Sequence, residues 1–165
     1  MPCNRGFSLI ELMIISIIVA ILAAIATPSF ISFMQQYRLT STMQQFYYNL
    51  QYARSEALKR ATTVYISFQT GSNWCYGINT SSACNCTTPS GCNLGTFTPP
   101  ASQLTTLSLS GISSPLTFEG SRGAANGTGT ISLTVTGGTL SMGIDVGTLG
   151  NVLLCSNTLT GYPVC

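Results

Sequence analysis

The sequence predicts an α+β chain: one long N-terminal helix, membrane-spanning in its first half and amphipathic in its second, packed on an antiparallel β head of two small sheets. Three observations predict it. The stretch from Leu12 to Met34 carries no charged residue and is long enough for a bilayer, which takes about 20 helical residues to cross. Leu39, Met43, Phe46, Leu50, Ala53 and Ala57 recur at alternating steps of four and three residues, the period of one helix face. After Ala61 the chain changes to short alternating segments rich in Thr, Val, Ile and Leu, punctuated by glycine turns.

The first half of the helix tolerates its few polar residues. Ser8, Ser16 and Ser32 can return their hydroxyls to helix carbonyls. Pro28 removes one helix hydrogen bond and is expected to bend or locally melt the helix between Ala24 and Pro28. From Gln35 to Ala61 the pattern is amphipathic, with Glu56 and Arg60 placed at i and i+4 in the favourable order. Helical from Phe7 to Arg60, the rod would be about 80 Å long at about 1.5 Å per residue.

The head follows in strands. Thr63–Phe68 alternates, and Gly71-Ser72-Asn73 turns into a second strand from Trp74 to Asn79. Trp74, the only tryptophan, is expected half-buried at the sheet edge. Residues 80–103 read as a long irregular segment rich in Thr, Ser and Pro. Loops of that length need a tie, and they are frequent contact surfaces. Strands are then expected at Leu104–Ser110, Leu116–Glu119, Gly129–Thr136, Leu140–Ile144 and Asn151–Cys155, with Gly137-Gly138 as a hairpin turn.

Charge and composition narrow the function. Charged residues make up 6% of the 165, against about a quarter in ordinary globular proteins. Ser, Thr, Asn and Gly replace them, which fits an exported β-rich head with a neutral polar surface. From Ala61 onward the only basic residue is Arg122, against Glu119 and Asp145, so the head carries a net −1 although the whole chain is formally +2. No histidine is present, which removes every imidazole base and every Ser-His or Cys-His pair. Glu119 and Asp145 follow turn-like segments with no sign of pairing, and no phosphate-cradling glycine loop occurs. The chain is not expected to be an enzyme or to hold a cofactor.

The organising stretch is Arg5-Gly6-Phe7-Ser8-Leu9-Ile10-Glu11-Leu12. A carboxylate inside a bilayer helix costs about 2.5–3.5 kcal/mol on insertion scales, so Glu11 marks a function. This stretch resembles the prepilin processing motif of type IV pilins and type II secretion pseudopilins. The resemblance implies a leader of residues 1–6, cleavage between Gly6 and Phe7 by a prepilin peptidase, and N-methylation of Phe7. It also implies that residues 7–34 stay as the transmembrane and filament-core half of the helix, residues 35–61 as the amphipathic half, and residues 62–165 as the head. Glu11 stands at the family's glutamate position, where the resemblance implies pairing with the N-terminal amine of a neighbouring subunit. Such pairing is what makes a buried carboxylate tolerable. Pro28 also matches the pilin pattern. An ordinary signal peptide cut near Ala24-Ile25-Ala26 would leave Glu11 without a purpose.

Leu50-Gln51-Tyr52-Ala53-Arg54-Ser55-Glu56-Ala57 resembles the segment shared by FimT/FimU-type minor pilins and GspH-type pseudopilins, and Phe118 to Leu133 has a looser likeness to their heads. Loss of the leader removes Cys3 and leaves Cys75, Cys84, Cys86, Cys92, Cys155 and Cys165 as disulfide candidates in an exported domain. Cys155–Cys165 is the favoured pair, and Cys75 joins the cluster of 84, 86 and 92. A zinc site there would have to use poor Cys-x-Cys spacing without histidine, so no metal is expected.

Some FimT-type relatives capture DNA through a Gly-Arg-x-Arg motif ahead of a cysteine. Here that stretch reads Gly150-Asn151-Val152-Leu153-Leu154-Cys155, with no cation for phosphate. Arg54, Lys59 and Arg60 form a small basic cluster, read as a solvated face or subunit contact. The resemblance thus implies a minor pilin that primes pilus assembly at or near the tip, with a GspH-type pseudopilin and a DNA-capturing minor pilin as alternatives. The partners implied are other minor and major pilins, the prepilin peptidase and the inner membrane, with DNA disfavoured. The protein would be single-pass, head in the periplasm, and then surface-exposed in a pilus.

Overall fold

Ser8 starts helix α1, which runs Leu9–Arg60: its carbonyl accepts the amides of Glu11 at 3.1 Å and Leu12 at 3.2 Å. The computed structural model describes residues 8–88, 91–100 and 104–165. The chain divides into two units, Met1–Tyr37 and Arg38–Cys165.

In the first unit α1 exposes its apolar side chains, among them Leu9, Met13, Ile17, Ile21 and Phe33. It is long and apolar enough to cross a membrane. Ser16 donates its hydroxyl to the Met13 carbonyl at 2.8 Å, which removes most of the cost of a hydroxyl in an apolar setting. Helical backbone continues through Ala24 and Pro28, so no melted turn is present. The side chains of 26–29, and with them the expected bend at Pro28, lie outside the described residues.

In the second unit the remaining helical turns bury Leu39, Met43, Phe46, Leu50, Ala53 and Ala57, each at most 1% exposed. Small alanines at 53 and 57 allow close approach at the C-terminal end of this face. The helix stops without glycine. Ala61 takes a left-handed φ of 51°; its amide bonds to Leu58 O at 3.3 Å and the Thr62 amide to Ala57 O at 3.2 Å. These two bonds form the Schellman pattern, which satisfies carbonyls the last turn leaves open. A side chain on Gly120 would collide with Thr62 N, so the loop after the first sheet closes on this cap.

Eight strands follow: β1 Val64–Gln69, β2 Cys75–Asn79, β3 Gly95–Phe97, β4 Thr105–Ser110, β5 Leu116–Phe118, β6 Gly129–Val135, β7 Ser141–Val146 and β8 Val152–Cys155. They form two antiparallel four-stranded sheets, ordered β3-β2-β1-β5 and β4-β6-β7-β8. Period-two alternation sends Val64, Ile66, Tyr76, Ile78, Leu116 and Phe118 from the first sheet, and Leu107, Ile131, Leu133, Met142 and Ile144 from the second, into one core with the helix face. The sheets are tied where Gly71 and Leu107 exchange two backbone hydrogen bonds of 3.0 Å each.

Two expectations are corrected here. Residues 80–103 are not wholly irregular: β3 lies within them and pairs with β2 through Tyr76↔Phe97, Gly77↔Thr96 and Ile78↔Gly95. A three-residue strand opening on glycine has too little alternation to be legible; it exists because β2 offers an unpaired edge. Trp74, for its part, is not half-buried at an edge. It is 3% exposed, its Nε1–H donates to Thr105 Oγ1 at 3.0 Å, and its ring lies parallel to those of Phe46 and Tyr76.

Candidate assembly surface

The residues expected to carry processing, Gly6 and Phe7, lie outside the described residues, as do Arg5 and Cys3. Glu11 is the acidic residue in the first turn of α1. With Ser8 it forms the Ser-x-x-Glu spacing of a capping box, in which an N3 carboxylate favours the helix N-terminus. The side chain is exposed, and among the described residues no cation lies within salt-bridge distance. Among the described residues up to Ile25, the turns that follow carry no charge, and Ser16 returns its hydroxyl to the backbone.

The second unit shows where the cysteines go. Cys75 pairs with Cys86, Cys84 with Cys92, and Cys155 with Cys165. The four sulfurs that might have held zinc are thus bonded in pairs. The first two disulfides lie over β2: a side chain on Gly77 would collide with Cys92 Sγ and stand 3.0 Å from Cys84 Sγ. They hold the segment after β2 against the outer face of the first sheet. Within that segment the Asn79 carboxamide oxygen accepts the Asn93 amide at 3.3 Å, and the Asn93 carboxamide oxygen accepts the Thr80 amide at 3.1 Å.

The basic cluster expected at the helix end is divided by the structure. Arg54 is not a solvated cation. Its Nε donates to Gly123 O at 3.1 Å and its Nη2 to Leu149 O at 3.0 Å, so one guanidinium brackets two loops to the helix. Both loops approach through glycine: a Cβ on Gly123 would lie 2.9 Å from Arg54 Nε, and one on Gly150 would collide with Gly123 O. Gly123 and Gly150 also adopt left-handed φ of 65° and 74°, which other residues enter at a cost. Gly150→Ala is expected to lower stability by about 1–3 kcal/mol, while Thr148→Ala, on an exposed neighbour, should stay within about 0.5 kcal/mol. Urea unfolding followed by tryptophan fluorescence checks the pair.

Lys59 and Arg60 turn to Glu56, whose oxygens lie 3.5 Å from Lys59 Nζ and 2.6 Å from Arg60 Nε. Glu56 is buried. The Arg60 hydrogen bond, first, and the charges of Lys59 and Arg60 hold its carboxyl below its ordinary value of 4.5 against the opposing effect of burial. A depressed folded-state pKa contributes stability that is complete above the unfolded value and lost as pH falls through the folded one. Wild type is therefore expected to lose thermal stability between neutral pH and pH values below 4.5 by more than Glu56→Gln does. Melting curves of both proteins across that range measure it.

Tyr76 is the other perturbed group: burial pushes its hydroxyl pKa up, while Asn49 Nδ2 donates to the hydroxyl oxygen at 2.7 Å. It stays a neutral core group. Glu119 and Asp145 are both exposed and stand on separate elements, after β5 and within β7. At the stretch before Cys155, Asn151 and Leu153 are exposed and neutral, so those two positions offer phosphate no cation.

Comparison with known proteins follows the same division of the chain. The family of Type II transport protein GspH matches residues 42–150, and the prokaryotic N-terminal methylation motif matches residues 1–27. The Type IV major pilin protein PilA of Myxococcus xanthus (strain DK1622) is 69% identical over 32 residues, which are 19% of this chain and 14% of that protein. The chain thus matches only a small part of that relative's length. No solved structure matches.

Proposed function

The chain belongs to the Type II transport protein GspH family, and from that premise we propose that it is a minor pilin of a type IV pilus, a structural subunit that primes assembly at or near the tip. The observation that carries this reading is the exposed apolar helix from Leu9, interrupted by one carboxylate, in a chain whose N-terminus is similar to a type IV major pilin. A helix of this kind is parked in the inner membrane, with the head in the periplasm, and then transferred into a filament of other minor and major pilins. A prepilin peptidase cuts between Gly6 and Phe7, Phe7 is methylated, and Glu11 takes the amine of the adjacent subunit. Pro28 eases packing of the helices in the filament. The chemistry is that of a substrate and a building unit rather than a catalyst.

The family's own description favours a second reading, a GspH-type pseudopilin of type II secretion. Three disulfides in the head favour the pilus, where a subunit must survive outside the cell. DNA capture is disfavoured by the neutral Asn151 and Leu153 and by the engagement of Arg54. The test is the yield of pili sheared from cells deleted for this protein and from complemented cells. Yield is expected to collapse and return on complementation. Unchanged yield with impaired protein secretion would replace this reading with the pseudopilin.

A further inference from the structure

The outward face of the second sheet is a lattice of hydroxyls. Alternation sends Leu107, Leu133 and Met142 inward and leaves their neighbours outward. The cross-strand register then places Thr106 opposite Thr134, Ser108 opposite Ser132, and Ser110 opposite Thr130. Strand geometry spaces such side chains by about 4.8 Å between strands and about 6.7 Å along them. Thr130 Oγ1 donates to Asp145 Oδ1 at 3.5 Å. Thr106 Oγ1 lies 3.5 Å from Thr136 Oγ1. Among the described residues, the hydroxyls of Ser108, Ser110, Ser132 and Thr134 have no protein partner.

The rows run into a cleft. Thr136, one step beyond β6, also lines a cavity of about 500 Å³ with Asn73, Trp74, Thr98, Pro99 and Pro100. Among the described residues, no lining residue is charged, and the face and the cleft together carry one carboxylate, Asp145, and no cation.

We propose that this face and its cleft bind a neutral polysaccharide. Each hydroxyl is both donor and acceptor, and a polymer of regularly spaced hydroxyls can replace several ordered waters at once without leaving any group unpaired. A repeating array favours a repeating partner, because each further contact is then intramolecular. The charge pattern selects within that class: polyanions need Lys or Arg, and here they would meet Asp145 alone. The cleft supplies what the flat rows lack, a concave wall with the edges of Pro99 and Pro100 against which one sugar unit can rest. This inference is independent of whether the chain works in a pilus or in a secretion machine.

The test uses the full chain in detergent micelles, passed over insoluble cellulose, cross-linked dextran and amylose, with heparin and double-stranded DNA resins as polyanions. Two variants accompany it. One is the triple change Ser108→Val, Ser132→Val and Thr134→Val, which keeps strand propensity. The other is Thr136→Lys, at an exposed position beside the cleft. Ser113→Ala, exposed and outside both the strand rows and the cleft lining, is the control. Retention on at least one neutral resin is expected, about tenfold weaker in the triple variant, weakened in Thr136→Lys and unchanged in Ser113→Ala. Retention on no neutral resin, retention indifferent to both variants, or equal retention on heparin or DNA would overturn the proposal.

Discussion

Glu11→Ala is expected to leave the protein in the membrane but cut its recovery in sheared filaments by about tenfold or more. The reasoning starts from the bilayer. Removing a carboxylate from an apolar helix relieves a cost of about 2.5–3.5 kcal/mol, so a protein that only needs an anchor would be unharmed or improved. A subunit whose carboxylate takes up a neighbour's amine loses the partner of a buried charge, and the amine left unpaired in an apolar filament core is strongly unfavourable. The capping-box spacing of Ser8 and Glu11 offers a competing role, support of the first helical turn. Glu11→Gln separates the two, because glutamine keeps the cap and abolishes the charge. If the charge matters, Gln fails as Ala does. If Gln assembles normally, Glu11 is a cap and the assembly role proposed for it is wrong. The measurement is immunoblotting of membrane and sheared fractions from the same cells.

Phe46→Ala should be the most damaging single change in the second unit. Phe46 is fully buried, and its ring lies 4.0 Å from that of Tyr76 at an interplanar angle of 2°. Trp74 and Phe68 stand 6.4 and 6.1 Å away. Removing a buried phenylalanine side chain costs about 3–5 kcal/mol in lost transfer energy and residual cavity, and the stacked contact adds to that. The expected fall in Tm is roughly 10–20 °C. Tyr48→Ala, two residues along but 66% exposed, should change stability by about 0.5 kcal/mol or less. Thermal unfolding under non-reducing conditions compares the two. A loss below about 1 kcal/mol for Phe46→Ala would mean that the helix face does not pack on the sheets through this ring.

Much of the architecture was legible because its signals are local. The helix face of Leu39 to Ala57 is a period that neighbouring residues state together, and the alternation in 129–135 does the same for β6. The terminal pair Cys155–Cys165, ten residues apart, was the favoured disulfide, since a short loop leaves few other partners. Trp74 was misjudged for a reason that is not local: it is buried by its contacts with Phe46 on the helix and Thr105 in the other sheet, which stand 28 and 31 residues away in sequence. The helix stop at Arg60 was legible from the change of pattern after Ala61, but its device was not: Ala61 does a glycine's work, with Gly120 folded against it.

By itself the sequence determined the elements that follow from period and composition: a helix apolar in one half and amphipathic in the other, a strand-rich head with almost no charge, and a glutamate set in the apolar half. These features depend on residues three, four or two apart, and hydrophobic burial enforces them whatever the remainder of the chain does. Only the tertiary structure decided how Cys75, Cys84, Cys86 and Cys92 pair, which hydroxyls face each other across β4 and β6, and what Arg54 does. Its two carbonyl partners stand 69 and 95 residues further along the chain. A guanidinium reads the same in any helix until packing brings two glycine-bearing loops within its reach, and then each hydrogen bond is satisfied by backbone that no local pattern announces.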